Sequence, residues 1–297
     1  MQSHLGELAA LTTAVCWTFT AIAFESAGKK VGSLSVNLIR LFIAFALLTI
    51  FTFFTRGIGF PIDATGTNWI WLLISGLIGF VIGDLFLFQA YVMIGSRISL
   101  LIMSAVPPIT AITGFLLLGE RISLIGMVGM FITIGGIALV ILSRSANEKK
   151  VKLAHPAKGL LFAFVGALGQ SFGLIFSKFG MGDYNPFAAT QIRIIAALVG
   201  FCIIITVGKR WNEIAASFQD KIAIRNISIG AFFGPFLGVS FSLLAVQHTS
   251  TGIVSTITSI SPILIIPASI MIFKEKVLPK EIVGAMICLI GVSLLFL

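Results

Sequence analysis

A constant shift of 155 positions lays the second half of this chain over the first. Ser75, Gly79 and Gly83 become Gly230, Gly234 and Gly238; Pro107, Glu120, Gly129 and Gly136 become Pro262, Glu275, Gly284 and Gly291. The register holds without a gap through Leu142 and Leu297. Nearer the start, a shift of 153 relates Gly6 to Gly159, Ala14 to Ala167, Phe19 to Phe172, and Ile39-Arg40 to Ile192-Arg193. The change of shift falls between the second and third apolar runs, in a connection where insertions are tolerated. Whatever unit the chain folds into, it must be built twice.

Hydropathy says what the unit is. With 58% hydrophobic and 10% charged residues, the 297-residue chain lies far from the balance of a water-solvated domain. Apolar runs occur at 5–24, 34–54, 69–92, 97–118, 124–142, 158–177, 186–207, 225–246, 251–273 and 281–297. Most approach the roughly 20 residues that cross a bilayer core. The expected fold is an all-α membrane protein of ten transmembrane helices. Five crossings per copy invert the second copy against the first, an arrangement suited to opening one site alternately to two sides of a membrane. The repeats are expected at residues 1–142 and 157–297, with 143–156, which holds Glu148, Lys149, Lys150 and Lys152, as a solvated cytoplasmic linker. The start lacks a basic leader, so the first apolar run is expected to be a retained helix.

The formal charge of +9 is a topology signal. Connections after the odd-numbered runs hold 15 of the 20 Lys and Arg residues; those on the other side hold Arg56, Arg121 and Lys178. The positive-inside rule then makes the odd-numbered connections cytoplasmic and puts both termini outside. The charge implies attraction to anionic membrane lipid and gives no reason to invoke nucleic acid.

Several chemistries find no motif. A GxxxxGK[ST] phosphate loop is absent, so any pumping draws on a gradient. Cys16, Cys202 and Cys288 lie in three separate runs without CxxC spacing, which suggests neither a disulfide framework nor a metal site. Val81 breaks the GxGD pattern of intramembrane aspartyl proteases, and neither GxSxG nor HExxH occurs. The chain is read as a non-enzyme without cofactors.

The stretch "PPITAITGFLLLGE" from Pro107 to Glu120, leading into a Gly-rich run, and its partner "PILIIPASIMIFKE" from Pro262 to Glu275 resemble the drug/metabolite transporter superfamily, specifically its EamA-type ten-helix branch. The resemblance spans nearly the whole chain. It implies secondary transport or facilitated export of small metabolites such as amino acids. It also implies a central cavity between the first four and the sixth to ninth helices, with the fifth and tenth peripheral. On the same scaffold, a lipid or lipid-linked sugar flippase and a proton-coupled drug exporter are the alternatives. Proton-coupled relatives carry a glutamate in the first helix, whereas Glu7 and Glu25 here lie near the ends of that run.

An ionisable group inside a span is costly and marks function by default. Three qualify. Arg40 and Asp84 lie at similar depth, which allows an ion pair between the second and third helices. Arg193 repeats Arg40, but Val239 stands where its aspartate would be. An unpaired guanidinium there suits bidentate capture of a substrate carboxylate. Asp84 is alternatively a proton carrier, with protons as the coupling ion. Thr251, Ser255 and Thr258 follow helical spacing towards Pro262 and offer hydroxyls to a solute. Trp17 and Gln170 occupy matching places in the two halves and are further cavity candidates. Pro107, Pro108, Pro235, Pro262 and Pro267 remove backbone donors and are expected to bend their helices, as hinges for alternating access. Glycines of the fifth and tenth runs permit close contacts within or between chains, which leaves the oligomeric state open.

Overall fold

The computed structural model describes residues 4–118, 123–144, 151–249, 251–274 and 277–295. The first half contains α1 (Leu5–Val31), α2 (Ser33–Arg56) and α3 (Gly66–Gly76), which runs through a π-helical turn, Leu77–Gly83, into α4 (Asp84–Ile94). Then follow α5 (Ser96–Met103), α6 (Val106–Leu118) and α7 (Leu124–Ile141). The second half repeats the plan with α8 (Ala157–Met181), α9 (Pro186–Val207), a short α10 (Trp211–Ser217) and α11 (Lys221–Ala231). A second π-helical turn, Phe232–Gly238, leads into α12 (Val239–His248), followed by α13 (Thr251–Thr258), α14 (Ser261–Phe273) and α15 (Pro279–Leu295). Eight stretches among the described residues are long and apolar enough to cross a bilayer.

Local chemistry sets the ends of these elements. Gly32 and Gly95 both take φ of 81°, a backbone open to glycine, and each divides one helix from the next across a single residue. A reciprocal Thr65–Asn68 capping box starts α3, Asn185 caps α9 ahead of Pro186, and Asp220 caps α11. The first helix is seven residues longer than its apolar run. Lys29 and Lys30, expected in a loop, ride on its last turn, where cations favour the negative end of the helix dipole. The linker region also differs from expectation, since Leu142–Arg144 and Val151–Leu153 pair as a short antiparallel ribbon. The helix α10 is absent from the ten apolar runs because it is too short and polar to register as one.

The halves interlock instead of lying side by side. The helix α8 of the second half packs across the π turn of the first, α1 packs across the π turn of the second, and α2 lies against α9. Small residues make the approach close, as membrane packing requires where lipid is as apolar as the side chains. A Cβ on Gly169 would sit 2.5 Å from Gly83 Cα, and one on Gly173 would sit 2.8 Å from Gly79 Cα. Away from this centre, α7 pairs with α15. There a Cβ on Gly136 would lie 2.8 Å from Gly284 O, so these glycines serve a contact within the chain.

Both π turns obey the repeat to the residue, Leu77–Gly83 becoming Phe232–Gly238 at the shift of 155. Each ends with a five-residue backbone bond, Asp84 N to Gly79 O and Val239 N to Gly234 O. Only the second contains a proline, Pro235, so proline is not the cause of the distortion. What the two turns share is a glycine pair, Gly79 and Gly83 in one, Gly234 and Gly238 in the other. The fourth and ninth runs are likewise each split in two, at 104–105 and at 259–260, again 155 apart. The splits directly precede Pro107 and Pro262. By contrast, α14 continues through Pro267, which is exposed.

Candidate functional site

A cavity of about 150 Å³ lies between the halves, next to both π turns and both split helices. Discontinuous helices in corresponding positions are how transporter scaffolds bring backbone polar groups to the bilayer midplane. Trp17, Arg40, Asp84, Gln170, Arg193, Ser255 and Thr258 all line it, as do Pro107, Pro235 and Pro262. Pro108 and Pro267 are not among its lining residues. The side chain of Thr251, and the end pairs Glu120–Arg121 and Glu275–Lys276, lie outside the described residues.

The centre of the site is a carboxylate held from three sides. Arg40 donates to Asp84 Oδ2 at 2.5 Å, and Gln170 donates to Oδ1 at 2.5 Å. Asn37 donates to the Asp84 backbone carbonyl at 3.3 Å, and Gln170 also reaches Gly79 O at 3.3 Å. This ties α2, α4 and α8 to one group. Both ions of the pair are buried, Arg40 at 3% exposure and Asp84 at 4%. Aromatic faces surround the guanidinium of Arg40, with the Phe88 ring centre 4.3 Å from Cζ and those of Phe24 and Phe80 at 5.5 and 5.7 Å.

Arg193 is placed differently. Its guanidinium lies over the Phe80 ring, Cζ 4.8 Å from the ring centre, within electrostatic reach of Asp84. It makes no hydrogen bond or ion pair among the described residues, and its Nε is buried without a partner. At 5% exposure it is buried within the bundle.

The hydroxyls of α13 divide between structure and cavity. Thr258 donates to Val254 O at 2.9 Å and Ser259 to Ser255 O at 2.7 Å, so part of the polar stripe serves its own helix. Phe80, Phe88 and Tyr91 are cavity residues that were not singled out beforehand. They stand at −4, +4 and +7 from Asp84, one helical face, so the spacing was there to be read. Asn37 and the role of Gln170 carried no comparable signal.

Glu25 is the other departure. Placed near a span end, it is nonetheless 1% exposed, paired with Lys29 and accepting from Ser96 N at 2.6 Å. Beside it Arg97 of α5 bonds Glu281 of α15 at 2.6 Å. The repeat shifts carry Glu25 and Glu281 to Lys178 and Gly126, so these charges belong to one end of the molecule alone.

A model described as the EamA-like transporter family matches this chain twice, over residues 4–142 and 157–297. The chain belongs to the EamA-like transporter family. It is therefore a multi-pass membrane transporter, whose partners are a small solute and the bilayer. Two curated relatives, both described as uncharacterized transporters of Archaeoglobus fulgidus, are similar to it. One is 23% identical over 98% of this chain and 97% of its own length; the other is 27% identical over 40% and 41%. A protein of known crystal structure shares the fold at a TM-score of 0.64, with 16% identity over 97% of this EamA-family chain and 95% of that one.

Proposed function

We propose that this protein is a secondary transporter of the cytoplasmic membrane that exports small carboxylate-bearing metabolites by alternating access. The observation that carries the reading is Arg193, a cation without a hydrogen-bond or ion-pair partner among the described residues, buried in the cavity between the halves. Buried charges in a bilayer are paired or face a solute path. A planar fork of donors fits a carboxylate bidentately, which a lysine ammonium cannot reproduce.

In this reading Arg40 and Asp84 set the shape of the site while Arg193 receives the solute. The π turns and the split helices α5–α6 and α13–α14 are the deformable elements on which the halves rock, and the glycine crossings are the rigid ones. Uptake into proteoliposomes against a panel of amino acids and other carboxylates, with and without an imposed proton gradient, tests the proposal. Arg193→Lys should lose most uptake, and full activity in that variant would remove the bidentate clamp. Gradient dependence abolished by Asp84→Asn would make protons the coupling ion. For the orientation, a reporter active only in the cytoplasm and fused after Leu297 should stay silent.

A further inference from the structure

We infer that the cavity selects organic monoanions, carboxylates whose nitrogen is absent or uncharged, over zwitterions such as free α-amino acids. The inference rests on the reading of Arg193 as the carboxylate site and narrows the solutes it admits.

Charge balance is the first argument. Among the described residues that line the cavity, the ionised groups are Arg40, Arg193 and Asp84, two cations against one anion. The empty site therefore carries a formal +1 in surroundings of low polarity, where an uncompensated charge is costly. A monoanion brings the site to neutrality. A zwitterion leaves the imbalance as it was.

The second argument is the lack of a place for an ammonium group, which brings three donors and seeks a negative partner. Asp84 is the sole carboxylate there, and both of its oxygens are already engaged, by Arg40 and Gln170. Neutral hydroxyls on the lining, those of Thr20, Ser104 and Thr258 among them, can accept from an ammonium but bring no negative charge to balance it. Two guanidiniums repel any cation that enters beside them. The remaining wall is apolar and aromatic, with Trp17, Phe88, Tyr91 and Leu174, which suits the uncharged body of the solute.

The test uses three probes with one skeleton: 3-phenylpropionate, L-phenylalanine and phenethylamine, titrated against the full-length protein in nanodiscs by calorimetry and thermal shift. Phenylpropionate should bind at least about ten-fold tighter than phenylalanine, the scale of one charge-assisted hydrogen bond, and phenethylamine should give no shift. Arg193→Gln should remove that preference. Arg193→Lys, which keeps the charge, should retain the preference for the anion at reduced affinity. Phenylalanine binding as tightly as phenylpropionate, no phenylpropionate binding, or unchanged affinity in Arg193→Gln would each overturn the inference. Flux of the same probes into proteoliposomes reads the transport proposal separately. The stated binding order without flux would remove transport and keep the anion site; equal flux of phenylalanine and phenylpropionate would keep transport and remove the selectivity.

Discussion

Two crossings at the centre of the molecule occupy equivalent places and are built differently. Where α8 crosses the first π turn, Gly169 and Gly173 put backbone directly on Gly79 and Gly83. Where α1 crosses the second, Trp17 and Thr20 stand between the helices: a Cβ on Gly234 would meet Thr20 Cγ2 at 2.8 Å, and one on Gly238 would meet Trp17 Cδ1 at 3.0 Å, beside Phe233 O of its own turn at 2.8 Å. The first crossing also carries the polar knot of Asp84, Arg40 and Gln170, whereas the second offers Val239 and Trp17. One scaffold thus holds a tight, charged joint and a looser, apolar one. The proposed anion-binding role of Arg193 rests on this difference, since Val239 stands where the repeat would give Arg193 an aspartate.

The largest effect should come from breaking the charged joint. Asp84→Ala leaves Arg40 buried without its partner and should cost about 3–5 kcal/mol, read as a lowered midpoint in thermal unfolding. The double replacement Arg40→Leu with Asp84→Leu should recover much of this, since a buried pair is often matched by apolar packing. An Asp84→Ala protein as stable as the parent would show that the joint is not held by the pair. Next, Gly169→Ala forces a methyl onto the Gly83 backbone, which cannot turn aside, at about 3 kcal/mol, the upper range of overpacking.

Carrying the first joint's chemistry into the second sharpens the contrast. Val239→Asp would give Arg193 a carboxylate of its own, and uptake of anionic solutes should fall by about ten-fold or more, as one charge-assisted contact is withdrawn from the solute. Unchanged uptake would separate Arg193 from the solute path. The smallest effect belongs to Gly234→Ala, whose methyl meets only side chains, Thr20 closely and Phe24 at an ordinary contact distance, at about 1 kcal/mol. Thr20→Ser, which removes the Cγ2 in the way, should relieve it; the absence of relief would mean the second crossing is as rigid as the first.

Much of this was open to a reader of the residues. The shift of 155, the odd number of apolar runs in each repeat and the ladder of small residues all follow from the bilayer as solvent, which permits few backbone solutions and makes helices of one length. The Arg40–Asp84 pair was legible because two ionisable groups at one depth have few other ways to be tolerated. Other features were hidden. Glu25 looked like an end residue because span ends cannot be read to better than a turn or two, and the extra length of α1 buries it. Proline was credited with bending the third helix of the second half. The same turn forms around Phe80 without one, since the glycines of both halves give the neighbouring helix room to press close.

From the order of residues alone came the membrane class, the duplication and the three charges that needed an explanation. Those depend on composition and local spacing, which lipid solvation reads directly. The tertiary structure decided how the charges are shared. Gln170, 86 positions from Asp84, occupies the second carboxylate oxygen, and no periodicity could announce a contact between helices of opposite halves. Arg193 has no hydrogen-bond or ion-pair partner among the described residues, and two cations face one anion in the cavity, the imbalance on which the proposed solute choice rests.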